Sequence, residues 1–161
     1  MTRTNEIRLT DLDAARLERS LIEQLRQSPE PAQGTAELED LLDAAAIVPS
    51  ATIDPAVVTM NSTVVLEEQP AGRRMTVTLV YPKDSDPERS QVSVLSPVGR
   101  ALIGARVGDT IIVSVPGNAP RDLRVVDPQN GRQRRDLRAR RRLLVEVIAH
   151  ALADRAGQQL L

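Results

Sequence analysis

The chain has 161 residues, enough for one compact domain or two small ones, and 41% hydrophobic residues from which to build a core. Its 21 basic and 22 acidic side chains leave a formal net charge of -1, so no global field draws the whole chain onto nucleic acid or a membrane surface. Cysteine is absent and Tyr81 is the sole aromatic residue, which excludes a disulfide framework, thiol catalysis and the usual structural zinc sites, and argues against base-stacking platforms and aromatic-lined pockets. No apolar run approaches the roughly 18–20 residues that a bilayer requires. The start, Met1-Thr2-Arg3-Thr4-Asn5-Glu6, lacks the apolar stretch of a signal peptide, so a soluble, cytoplasmic protein is expected.

Charge divides the chain into three segments: residues 1–50 hold 5 basic and 10 acidic groups, residues 51–127 hold 8 and 9, and residues 128–161 hold 8 and 3. We treat these as a short acidic helical hairpin, a sheet domain and a basic extension. Lys83 is the only lysine, an arginine excess that we read as genome composition bias.

In the first segment Thr10 is followed three residues later by Asp13, a variant of the capping box. Ala14, Leu17, Leu21 and Leu25 then share one helical face, and Pro29 and Pro31 stop the helix after about 17 residues, or about 26 Å. Thr35 is the expected N-cap of a second, shorter helix with Leu38, Leu41, Leu42 and Ala45 on its apolar face. Glu37, Glu39 and Asp40 favour the positive end of its dipole. So short a connection implies an antiparallel pair. Its tip acids, Glu30 and Glu37, read either as a metal-presenting tip or as a solvated face.

From Val57 the pattern changes to period two. Strands are expected at Ser62 to Leu66, Met75 to Leu79, Gln91 to Val94, Ile111 to Val115 and Asp122 to Val125. Turns fall at Gln69-Pro70-Ala71-Gly72, Asp84-Ser85-Asp86-Pro87 and Pro116-Gly117-Asn118-Ala119-Pro120. One helix interrupts the strands: Ser96 caps it, Pro97 takes its first position, Val98, Ala101 and Leu102 face the sheet, and Gly104 suits a left-handed C-cap. The expected class is α+β, five strands and one short helix.

The run Val92-Ser93-Val94-Leu95-Ser96-Pro97-Val98-Gly99-Arg100-Ala101-Leu102, continued by Ile103-Gly104-Ala105-Arg106-Val107-Gly108-Asp109, resembles the C-terminal domain of the bacterial transcript-cleavage factors GreA and GreB. Val58-Thr59-Met60-Asn61-Ser62 and Val115-Pro116-Gly117 fit the same family. Leu79-Val80-Tyr81-Pro82 and the short hairpin are similar to its Rnk branch, the regulators of nucleoside diphosphate kinase. The resemblance spans residues 57–127, extends more loosely over 5–50, and does not reach 128–161. It implies an FKBP-like domain, a curved antiparallel sheet with one helix, that docks on RNA polymerase at the rim of the secondary channel. The docking element of the family falls here on Leu95, Ser96 and Pro97, with Arg100 beside them. GreB-type factors carry an acidic residue at the position of Leu95, a departure that touches the polar part of that contact. Ser96 and Pro97 also serve a purely local purpose as a helix start.

Cleavage factors act by sending a long coiled coil down the polymerase channel, where acids at its tip help hold magnesium. Glu30 and Glu37 flank the turn here without matching those tip acids, and the hairpin is several turns shorter. The resemblance therefore implies occupancy of the binding place without stimulated cleavage. Prolyl isomerase activity is not expected from the FKBP-like fold, because one tyrosine cannot line a proline pocket. His150 has no cysteine or second histidine to join it, and Gly99, Gly104 and Gly108 follow neither a dinucleotide nor a P-loop spacing. No catalytic residue, metal or cofactor is expected, and the chain is not read as an enzyme.

Asp127-Pro128-Gln129-Asn130-Gly131 closes the sheet domain. Beyond it Arg132, Arg134, Arg135, Arg138, Arg140, Arg141 and Arg142 are followed by Leu144, Ile148 and Leu152 in a helical stripe with Leu137. Three readings stay open for this amphipathic helix: packing on the body or a second copy, contact with phosphate backbone, or contact with an acidic polymerase surface. Arg134, Arg135, Arg138, Arg141 and Arg142 would carry the last two. The leading functional reading is a non-enzymatic regulator that binds RNA polymerase and competes with Gre-type factors. A cleavage factor with a shortened coiled coil and a regulator of a nucleotide-metabolism enzyme are its rivals.

Overall fold

The computed structural model describes residues 6–28, 30–115 and 117–126. A three-residue strand, β1 (Arg8–Thr10), runs directly into helix α1 (Asp11–Gln27). Thr10 is the N-cap: its Oγ1 accepts from the Asp13 N–H at 3.0 Å, supplying one of the partners that the first turn of a helix lacks. The reciprocal half of the capping box is not made. Asp13 Oδ2 instead accepts from the Met60 N–H at 3.0 Å, and Asp11 Oδ1 accepts from the Ser50 N–H at 2.9 Å. The two acids of the first turn thus hold α1 to the segment that leads into the sheet. The bond from Ser50 is the chief reason that the Asp11 carboxyl titrates below its ordinary range.

Ala14, Leu17 and Leu21 are buried along α1, as the periodicity implies. Leu25, the fourth residue of that face, is 47% exposed, because the helix outruns the surface on which it lies. After the turn, α2 (Thr35–Ala44) begins with Gly34, not Thr35, as its N-cap. Gly34 has φ +88°, a conformation suited to glycine, and Thr35 Oγ1 turns back to donate to the Ala32 carbonyl at 2.6 Å. Leu38 is fully buried, while Leu41, Leu42 and Ala45 pack at its margin. Strand β2 (Ala46–Val48) then pairs parallel to β1, with Leu9 opposite Ile47. Three residues are too few to show a period, which is why this small sheet is invisible in the sequence.

All five expected strands form one sheet. They are β3 (Thr63–Gln69), β4 (Arg73–Val80), β5 (Gln91–Ser93), β6 (Thr110–Val113) and β7 (Arg121–Val126), in the order β5-β4-β3-β7-β6. The expectation of an antiparallel sheet needs correction at one edge, where β5 runs parallel to β4 with Leu79 opposite Val92. The cause is the connection. Residues 81–90 do not make a hairpin turn but pass through two 3₁₀ turns, Pro82–Asp84 and Pro87–Arg89, each started by a proline. That detour carries the chain back along β4 before β5 begins. The β3–β4 connection is a true hairpin, closed by Gly72 at φ +69° and by the Gly72 N–H donating to the Glu68 carbonyl at 2.6 Å.

Helix α3 (Pro97–Leu102) buries Val98 and Leu102 against the sheet, and Gly104 takes the expected left-handed conformation at φ +71°. Leu9, Leu17, Leu21 and Leu38 join Leu66, Val77, Leu79, Val94, Leu102 and Val125 in one core. Burying a leucine stabilises by about 1.5–3 kcal/mol. The N-terminal helices are therefore fixed to the sheet rather than tethered to it.

Tyr81 directly follows β4 and lies near α1. Its hydroxyl oxygen is buried without a hydrogen bond of ordinary geometry, in the neighbourhood of Asp13 and Arg16. Burial, reinforced by the Asp13 charge and partly offset by Arg16, raises its pKa above the ordinary 10.0. The unfolded chain then loses the phenolic proton first, so stability is level below about pH 10 and falls as pH rises toward the folded pKa. Because Tyr81 is the only aromatic residue, tyrosinate absorbance reads this group alone. The native titration is expected to lie above that of the urea-unfolded chain, and Tyr81→Phe is expected to remove this part of the alkaline loss. Identical titrations in the two states would contradict the burial.

Candidate docking site

The loop between β5 and α3 is held by its own serines. Ser93 Oγ accepts from the Leu95 N–H at 3.1 Å, and the Ser93 carbonyl accepts from the Ser96 hydroxyl at 2.6 Å. Ser96 Oγ in turn accepts from the Gly99 N–H at 3.1 Å, completing the N-cap that the Ser-Pro pair implies. Pro97 fixes the first helical φ where no N–H is needed. The result is a rigid turn with Ser96 and Pro97 half-buried at the surface.

Leu95 and Arg100 take different places. The Leu95 side chain is buried in the core, and its backbone N–H and carbonyl are engaged by Ser93 Oγ and by Arg100. Arg100, half-buried on α3, donates from its guanidinium to the Leu95 carbonyl. Gly34 lies against both groups: a methyl on its Cα would overlap the Leu95 carbonyl oxygen and the Arg100 guanidinium. Gly99 is as tightly enclosed on the other side, where an added Cβ would lie 2.8 Å from the Val94 Cα and closer still to the Ser93 carbonyl.

The structure brings Ser96, Pro97 and Arg100 together at one turn, with the Leu95 side chain in the core beneath them. Glu30 and Glu37 are both exposed, and among the described residues no group of three or more His, Asp or Glu side chains is placed to hold a metal ion. The arginines from Arg132 to Arg142, and His150, lie outside the described residues. A cavity of about 60 Å³ lies apart from the loop, lined by Glu6, Arg8, Val57, Gly104 and Arg106. It is far smaller than the roughly 300 Å³ and more of a ligand pocket. Its two arginines are engaged, Arg106 by Asp54 and Arg8 by Glu6. No described helix is long and apolar enough to cross a membrane.

Sequence reasoning missed the two glycines that shape the site. Gly99 had a signal, since a glycine inside a six-residue helix costs about 1 kcal/mol against alanine and asks for a packing reason. Gly34 had a weaker one, its place immediately before a helix start.

Residues 53–128 match the family described as "Transcription elongation factor, GreA/GreB, C-term". The regulator of nucleoside diphosphate kinase from Escherichia coli (strain K12) is 37% identical over 119 residues, which cover 74% of this chain and 85% of that protein. The transcription elongation factor GreA of Mesorhizobium japonicum is 36% identical over 83 residues, 52% of this chain and 53% of its own, so the chain spans about half the length of that relative. Among solved structures, a prokaryotic transcription elongation factor GreA/GreB from Nitrosomonas europaea superimposes with a TM-score of 0.63 at 38% identity, covering 77% of this chain and 98% of that one.

Proposed function

The chain belongs to the GreA/GreB family, and from that membership we propose that it is a non-enzymatic transcription regulator that docks on RNA polymerase at the rim of the secondary channel. The observation that carries the reading is the pre-organised Ser-Pro turn. Three internal hydrogen bonds from Ser93 and Ser96 fix its shape before any partner arrives. A surface that is already ordered loses little conformational entropy on binding. Docking uses the exposed parts of Ser96 and Pro97, with Leu95 buried beneath them and Arg100 as neighbour.

The helices support a role in competition rather than in cleavage. With 17 and 10 residues, α1 and α2 reach only about 26 and 15 Å, and both bury residues in the core they share with the sheet. Glu30 and Glu37 are then carried beside the docking domain instead of into a distant active site. In stalled elongation complexes the protein is expected to leave the nascent RNA uncut. Shortened transcripts would favour a cleavage factor with a truncated coiled coil. For the segment with Arg134, Arg135, Arg138, Arg141 and Arg142 the readings are packing on the body or on a second copy, and a salt-sensitive contact to phosphate or to an acidic polymerase surface.

The double variant Ser96→Ala/Pro97→Ala tests the docking element. Its affinity for core RNA polymerase is expected to fall about tenfold or more, while loss of the serine cap lowers stability by only about 1 kcal/mol. Unchanged binding by a folded double variant would remove this loop from the interface. The likeness to the regulator of nucleoside diphosphate kinase favours a second reading, in which the partner is an enzyme of nucleotide supply. Co-purification with that kinase and a change in its phosphotransfer rate would distinguish it.

A further inference from the structure

The turn that joins α1 to α2 rests on the element assigned above to polymerase. Gly34 sits against the Leu95 carbonyl and the Arg100 guanidinium, and Arg100 donates to that same carbonyl. A bare glycine and a guanidinium therefore close over one peptide oxygen. This clasp is not a contact that opens at little cost, because Leu17, Leu21 and Leu38 anchor the two helices in the sheet's core. The helices and the docking loop share one core.

Glu37 lies three residues beyond Gly34, about 4.5 Å along the axis of α2, and is exposed. It forms no ion pair with a described residue. A carboxylate in the first turn complements the positive end of the helix dipole. Gly34, at the same end of α2, lies against the carbonyl of Leu95, the residue before Ser96.

We propose that the docking surface is composite: the start of α2, with Glu37, lies beside Ser96 and Pro97 on one face, Gly34 and Arg100 are its positioning residues, and the partner surface offers cationic side chains opposite Glu37. The inference rests on the polymerase-docking reading and assigns the short helices a task within it. They widen the footprint and set its charge instead of probing a channel. A factor whose helices project away from this domain would not carry the added contact.

The test is binding of the full chain to core RNA polymerase, measured by fluorescence anisotropy at low and moderate salt. Glu37→Arg changes only an exposed side chain and is expected to weaken binding about tenfold and to alter its salt dependence. Wild-type affinity for Glu37→Arg, with Ser96→Ala/Pro97→Ala weakened, would overturn the composite surface and leave the docking reading standing. Absence of binding by the wild-type chain would overturn both. Arg100→Ala is expected to lower affinity, and Arg100→Lys, which keeps a donor for the Leu95 carbonyl, to recover part of it. Equal losses in the two Arg100 variants would overturn the positioning role of the clasp.

Discussion

Gly99→Ala is expected to destabilise the protein by about 3 kcal/mol, the upper end for forcing a group into a packed site. The new methyl would meet backbone, the Ser93 carbonyl and the Val94 Cα, not the far end of a mobile side chain. A side chain can change rotamer, but these atoms move only if α3 or β5 moves. Strand β5 is three residues long and lies at the edge of the sheet, so it is the part that must yield. Its displacement would break the Ser93 and Ser96 hydrogen bonds and distort the docking loop with them. Urea denaturation followed by circular dichroism measures the loss. A change below about 1 kcal/mol would show that the approach of α3 to β5 is looser than described.

Leu38→Ala and Leu17→Ala are each expected to cost about 3 kcal/mol, within the range for emptying a fully buried leucine site. Leu38 is 1% exposed and Leu17 0%, and both touch a core made mostly by the sheet. Leu25→Ala, on the same helix but at the surface, should change stability by no more than about 0.5 kcal/mol. Unfolding is expected as one transition, with helix content and Tyr81 absorbance changing together. A projecting pair of helices would behave otherwise, losing helix signal first and leaving the Tyr81 transition where it was. The ratio of the Leu17 and Leu25 effects thus reads directly how far α1 is integrated into the domain.

Much of this architecture follows from local chemistry. The alternation of Met75, Val77 and Leu79 with Thr76 and Thr78 can only bury one face, and that face is buried. Thr10 and the Ser96-Pro97 pair announce helix starts because the donors they satisfy have no other partner nearby. Pairing direction is less local. The period of Gln91 to Ser93 is the same beside a parallel or an antiparallel neighbour, and only the path of residues 81–90 decides it. The clasp was less legible still, since the approach of Gly34 to Leu95 joins residues 61 apart in sequence. Asp13 shows the same limit. Its spacing from Thr10 suggested a capping box, but its carboxylate is taken by a backbone N–H 47 residues away. Replacing it by alanine would leave that buried N–H without a partner, a loss of about 1–3 kcal/mol.

The account stands most directly on whether the full chain occupies the Gre site of RNA polymerase. The decisive measurement is capture of core RNA polymerase by the tagged protein, with and without excess GreA, at moderate salt. Capture that GreA displaces, and that the Ser96→Ala/Pro97→Ala variant loses, is the predicted result. A folded protein that captures no polymerase, or one whose capture GreA leaves untouched, would contradict it.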